Sequence, residues 1–148
     1  MGHRDVARAL PDTPIVITPI GVARSTLRDR RDAPCQAFEG APEAVLEINP
    51  EFAPALHRIS PGTELIVVTW LHAADRSVLQ THPMDDERIP LTGVFATRSP
   101  DRPNPIGLHR VTVTDFIPPM SIHVDALEAI DGTPILDLKV AMRRAPDA

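Results

Sequence analysis

The sequence predicts a mainly β protein: one domain, a closed or partly open β-barrel of about seven short strands with one short helix. Three observations lead there. Seventeen prolines among 148 residues leave little room for long helices, because each removes a backbone donor and clashes with the preceding turn. The apolar runs are short, and several alternate with polar residues at the period of a half-buried strand. Turn dipeptides, Pro61-Gly62 and Asp131-Gly132 among them, separate those runs. Closure into a barrel follows because it removes exposed strand edges.

Residues 1–12 read as a flexible leader, 13–142 as the folded domain and 143–148 as a tail. Pro14 to Val22 is β-branched and predicts a strand that Pro19 pushes to a sheet edge or a bend. Arg24 to Ala33 is a polar loop containing Arg24, Arg28, Arg30 and Arg31. Ala44 to Ile48 is a short strand. Pro50 to Ile59 sets Phe52, Ala55, Leu56 and Ile59 at helical spacing and predicts one or two helical turns. Glu64 to His72, apolar on both faces, is the central strand. Ala73 to Pro90 is a long polar excursion of the kind that usually carries function. Leu91 to Thr97 predicts a strand running into a proline-arginine stretch. Ile106 to Ile117 and Ser121 to Leu127 both alternate. The Asp131-Gly132 turn leads into a last strand, Ile135 to Met142, with Leu136, Leu138 and Val140 on one face and Asp137 and Lys139 on the other.

Composition excludes several classes. A net charge of −5 argues against a chain that coats nucleic acid, since phosphate binding rests on a basic surface. The longest apolar run, Leu65 to Leu71, falls short of the roughly 18 residues of a membrane span. The first residues lack the apolar core of a secretory signal, so a cytoplasmic protein with no membrane partner is expected. Cys35 is the sole cysteine, which rules out an intrachain disulfide and a cysteine metal cluster. None of the six histidines stands at a metal-ligand spacing, so no metal is expected. With no GxGxxG, Walker A or GxSxG motif, any nucleotide-like cofactor enters by a non-Rossmann route.

The stretch GVFATRSPDRPNPIGLHR, Gly93 to Arg110, is the strongest candidate for a site. Pro100, Pro103 and Pro105 bias Ser99, Arg102 and Asn104 towards extended backbone, which preorganises the segment. Arg98 and Arg102 offer forked donors to a carboxylate or a flat face to a ring. Asn104 adds a donor and an acceptor, and Gly107 permits close approach of a ligand or another chain. The competing reading is a surface loop whose arginines sit in salt bridges. DGTPILDLK, Asp131 to Lys139, reads either as a hairpin turn with a solvated strand face or as a second polar cluster facing a ligand. His72 ends an apolar strand, where a barrel-rim histidine and a ligand contact are both open.

GVFATRSPDRPNPIGL resembles the signature of the TrmO family, also called the TsaA-like domain. GVARSTLRDRRDAPCQ, TWLHAA, LQTHPMDDERIPLTGVFATRSP and AIDGTPILDLK are similar to further blocks of the same family, in order, from about Ile20 to Lys139. The resemblance implies an S-adenosylmethionine-dependent methyltransferase with a β-barrel, working as a homodimer with its site at or near the interface. It implies tRNA as partner and N6-methylation of threonylcarbamoyladenosine beside the anticodon. Carried onto this chain, it assigns the cofactor site to Pro34, Cys35, Gln36, His72, Ala73, Arg98, Leu108, Asp131, Gly132, Thr133 and Pro134. Arg102 and Asn104 then serve the rim or the substrate. Asp137 is the candidate proton acceptor for a nitrogen nucleophile, with Lys139 orienting it or the substrate.

The chain departs from the family at three places. Cys35 stands where better-known members have Arg, Met84 where a basic residue often follows His-Pro, and Val140-Ala141 where the pattern usually continues Pro-Tyr. The few residues after Lys139 leave no extra C-terminal domain of the longer tRNA enzymes. These departures keep two other outcomes open: methylation of a small molecule, and S-adenosylmethionine binding without turnover. The arginines at 24, 28, 30 and 31 discriminate. Lining the pocket mouth, they favour nucleic acid; paired with Asp29, Asp32 and Glu39, they do not.

Overall fold

The computed structural model describes residues 13–29 and 40–142. Among the described residues eight strands run in chain order: β1 Gly21–Ser25, β2 Ala44–Ile48, β3 Glu64–Trp70, β4 Gln80–Thr81, β5 Thr92–Gly93, β6 Ile106–Ile117, β7 Ser121–Val124 and β8 Pro134–Val140. Six of them close a barrel in the order β1-β2-β7-β6-β3-β8, and β4 pairs with β5 outside it. Every pairing is antiparallel. The seam between β3 and β6 is the longest, seven residue pairs from Glu64↔Thr112 to Trp70↔Ile106. The barrel closes through only two pairs, Gly21↔Ile135 and Val22↔Pro134.

The barrel interior explains the alternation in the sequence. Leu65, Val67 and Thr69 of β3 and His109, Val111 and Val113 of β6 are buried, and Arg110, between His109 and Val111, is exposed. Leu46, Ile122, Val124, Leu127 and Ile135 are fully enclosed and fill the core. Each such side chain contributes roughly 1.5–3 kcal/mol by leaving water. Ile66, on the opposite face of β3, is also buried, consistent with a strand apolar on both faces. Gly21 is obligatory where β1 crosses β2: a Cβ there would run into the Glu47 carbonyl oxygen.

Several expected boundaries move. Residues 13–20 carry no strand, and Ile15 and Val16 stand exposed; β1 begins at Gly21 and takes in residues expected to be loop. Proline at 14 and 19 removes ladder donors on that segment. Only Thr92–Gly93 of the expected Leu91–Thr97 strand pairs, and Val94–Ala96 turns as a 3-10 helix. The short helix, Pro50–Leu56, is also 3-10, with Pro54 inside it. In the last strand the inward residues are Ile135 and Leu138, because the register slips at Leu136: Val68 faces Asp137 while Thr69 faces Ile135. A one-residue bulge flips the face, which a strict period of two cannot foresee. Among the described residues no helix is long and apolar enough to cross a membrane. The expectations for Pro34, Cys35 and Gln36, for Arg30, Arg31, Asp32 and Glu39, and for the leader and tail lie outside the described residues.

Candidate functional site

A cleft of about 1210 Å³ opens where the β3 and β6 ends meet the excursion between them. Its floor comes from Gly107, Leu108 and His109 of β6 and from Glu128, Ala129, Ile130 and Thr133 before β8. Leu71 to Ala74 and His82 to Asp85 form one wall, and Phe95 to Arg102 with Asn104 form the rim. This volume exceeds the usual range of roughly 300–1,000 Å³ for a single small-molecule pocket.

The rim is tied down by its own side chains. Arg102 donates from Nη1 to the carbonyls of Thr97 (3.1 Å) and Ser99 (2.8 Å), and from Nη2 to that of Val94 (2.9 Å). The Thr97 hydroxyl also donates to the Val94 carbonyl (2.9 Å). From the facing loop, Arg76 donates to the Pro103 carbonyl (2.7 Å) and to Asn104 Oδ1 (3.2 Å), and its guanidinium lies 5.1 Å from the centre of the Trp70 ring. Asp101 accepts from the Asp75 backbone N–H at 2.8 Å. Where three prolines leave the backbone short of donors, side chains satisfy its carbonyls. Arg102 and Asn104, expected to serve the rim or the substrate, both line the cleft, with Arg102 engaged by the rim's own backbone. Arg98 and Phe95 line the cleft and are exposed, Phe95 at 82%.

The Asp-Gly-Thr-Pro turn is braced from behind. Gly132 adopts φ 85°, a left-handed value that suits glycine, and its N–H donates to the Ala23 carbonyl at 2.8 Å. Thr133 is buried and its hydroxyl donates to the Ile130 carbonyl at 2.7 Å. Asp131 accepts from the Ser25 N–H (3.0 Å) and from Arg28 Nη1 (2.9 Å), with Arg24 3.9 Å away. Asp131 thus borders a neighbouring hollow with Arg24, Arg28 and His123. Arg24 also pairs with Glu47 at 3.4 Å, so among the described residues these two arginines face Asp131 and Glu47. In the excursion before β5, Arg88 holds the Asp86 carboxyl below its ordinary range, by its side chain first and its backbone N–H second.

The expected site residues separate into three groups. His72, Ala73, Arg98, Leu108, Thr133, Arg102 and Asn104 line the cleft. Asp131, Gly132 and Pro134 stand behind Thr133 and are not among the lining residues. Asp137 and Lys139 lie on the outer face of β8, half-exposed or more, and pair with each other at 3.4 Å. A polar trio at the floor, with Thr69 and His109 buried and Glu128 partly exposed, is not among the residues the sequence singles out. Thr69 Oγ1 lies 2.7 Å from His109 Nε2, and His109 Nδ1 lies 2.9 Å from Glu128 Oε1. The signal was available: His109 occupies an inward position of β6, in phase with Val111 and Val113, where an apolar residue belongs. Among the described residues no cluster suited to a metal ion occurs.

Residues 22–145 match the tRNA-methyltransferase O N-terminal domain family. A probable S-adenosyl-L-methionine-binding protein of Methanothermobacter thermautotrophicus is 37% identical over 130 residues, covering 88% of this chain and 92% of that one. An S-adenosyl-L-methionine-binding protein of Archaeoglobus fulgidus is 37% identical over 127 residues, covering 84% and 88%. Two crystal structures of TrmO from Pseudomonas aeruginosa superimpose with TM-scores of 0.71 and 0.73, at 30% and 26% identity, over 92% of this chain. The chain spans 58–60% of the length of those solved proteins.

Proposed function

The chain belongs to the tRNA-methyltransferase O N-terminal domain family, and on that premise we propose that it is an S-adenosylmethionine-dependent methyltransferase with its cofactor in the cleft described above. One observation carries the reading: His72, Ala73, Arg98, Leu108 and Thr133, drawn from four separate segments, converge on one concavity. The residues fit such a cofactor. Arg98 suits a carboxylate, Phe95, Leu108 and Ile106 suit the flat adenine, and the floor holds a carboxylate oxygen, Glu128 Oε2, that is buried with no hydrogen-bond partner. When bound, the cofactor supplies a sulfonium methyl that is already activated. The chain's task is to hold donor and acceptor in line, which the braced rim serves by limiting its own motion. The large cleft leaves room for an acceptor beside the cofactor.

For the acceptor we infer N6 of threonylcarbamoyladenosine in tRNA, on the strength of the family alone. The homodimer belongs to the same inference, and so does a catalytic part for Asp137 and Lys139, whose pair faces away from the lining residues and requires the acceptor to reach β8 from outside the cleft. A small-molecule acceptor is the second reading. It is favoured by Arg24 and Arg28, whose charges are met by Asp131 and Glu47 and so are less available to phosphates. Titration calorimetry with S-adenosylmethionine and S-adenosylhomocysteine tests the core of the proposal. Micromolar binding at one site per chain is expected, and Arg98→Ala is expected to weaken it at least tenfold with the fold intact. A folded protein that binds neither compound refutes the reading.

A further inference from the structure

We propose that Glu128 forms the amine-binding end of the cleft: its Oε2 accepts a hydrogen bond from the α-ammonium of the bound cofactor's amino-acid end. His109 and Thr69 hold the carboxylate in position. The proposal rests on the cofactor reading above and names a residue that the sequence motifs do not.

Four observations converge. First, the trio is fully accounted for on one side only. An imidazole that donates from Nδ1–H to Glu128 Oε1 and accepts at Nε2 from the Thr69 hydroxyl has a partner for each ring nitrogen. Second, Glu128 Oε2 is out of water and accepts nothing among the described residues. A buried carboxylate oxygen without a donor is costly, and a ligand N–H removes that cost. Third, the fold makes room for the relay. Gly107 is buried above it, and a Cβ at that position would lie 2.5 Å from Thr69 Oγ1 and 2.7 Å from His109 Nε2. Fourth, Glu128 and His109 both line the cleft, with 18% of the Glu128 side chain exposed, and Arg98 lines the same cleft. An acid on the floor and a base on the rim complement a zwitterionic amino-acid group, whose ammonium and carboxylate need opposite partners.

His109 acts here as a positioning residue. Its hydrogen bond fixes one Glu128 oxygen, and a turn of the carboxylate about that anchor brings the other, shielded from solvent in this structure, to the ligand. Other donors on the cofactor, the ribose hydroxyls and the adenine amine, offer the same kind of contact, so the test must isolate the ammonium.

The test compares S-adenosylhomocysteine with its desamino analogue, which keeps the carboxylate and lacks only the amine. Affinities are read by calorimetry on the wild-type protein, Glu128→Gln and His109→Asn, with melting curves alongside. The wild type is expected to bind the desamino compound about tenfold or more weakly, as loss of a charge-assisted hydrogen bond predicts. Glu128→Gln presents an amide donor to the ammonium and is expected to bind both compounds with the same weak affinity. His109→Asn is expected to shrink the preference for the amine-bearing compound. A uniform loss for both compounds would make His109 merely structural and overturn the relay. Equal wild-type affinity for the two compounds overturns the proposal without any variant, and so does an unchanged preference in Glu128→Gln. In both cases binding of S-adenosylhomocysteine keeps the cofactor reading standing. A wild type that binds neither compound fails that reading and this one together.

Discussion

The barrel and the cleft rim are held by different forces, although they meet at β3 and β6. The barrel rests on enclosed side chains such as Leu46, Val67 and Ile122 and on continuous antiparallel ladders. The rim has almost no ladder: two pairs link β4 to β5, and the chain from Val94 to Asn104 is fixed chiefly by Arg102, Arg76 and Thr97 donating to carbonyl oxygens. Apolar burial is non-directional and tolerates local rearrangement, whereas a guanidinium spanning three carbonyls fixes relative positions over a short range. The contrast separates stability from site geometry, and each can be removed on its own.

The largest effect belongs to the barrel. Leu46→Ala empties a fully enclosed position and is expected to destabilise the fold by about 2–5 kcal/mol. Thermal unfolding should show a drop in Tm of roughly 10 °C. Binding measured well below the new Tm should be little changed, because Leu46 does not line the cleft. Arg102→Ala should give the opposite pattern. Its three backbone acceptors lie on the partly exposed rim, where water can replace part of what is lost, so the stability cost should stay near 1–2 kcal/mol. Cofactor affinity should fall at least tenfold as the rim loosens around Arg98. Equal losses of stability and affinity in both variants would erase the distinction between the two regions.

The same contrast explains what could be read in the sequence. The barrel strands at 106–117 and 121–124 are legible because burial imposes a period of two on Val111 and Ile122, and the strand at 64–70 because it is apolar on both faces. Where that period breaks, legibility ends: at Leu136, where a bulge slips the register, and at Val94–Ala96, where Arg102 draws a strand-like sequence into a turn. Seven residues picked from the family blocks or the proline-arginine stretch line one cleft, so the motifs select residues that the fold brings together. Motif position alone could not tell which residues of the DGTPILDLK block face inward. Thr133 does, Asp131 turns to Arg28, and Asp137 lies outside on β8. Glu128 is not legible because it is an ordinary residue type whose meaning comes from the cross-strand pairing that brings Thr69 opposite Gly107, whereas His109 shows itself only as a polar residue at an inward position of β6.

The smallest expected effect tests the outer face of β8. Asp137 and Lys139 form an exposed pair, with 52% and 67% of their side chains in solvent. Such pairs contribute at most about 1 kcal/mol, since water already screens both charges and ordering two side chains offsets the attraction. Asp137→Asn keeps the shape of the side chain and removes its charge. It also retains an oxygen able to accept from the Leu138 N–H, which Asp137 Oδ1 now does at 2.9 Å. Melting temperature should therefore move by a degree or so, and cofactor affinity should stay within twofold. A large loss of affinity would bring the outer face of β8 into contact with the cofactor, and the division between a supporting barrel and a separate binding cleft would have to be redrawn. Unchanged affinity with lost methyl transfer would instead confine Asp137 to the acceptor side of the reaction, leaving the amino-acid end to Arg98 and Glu128.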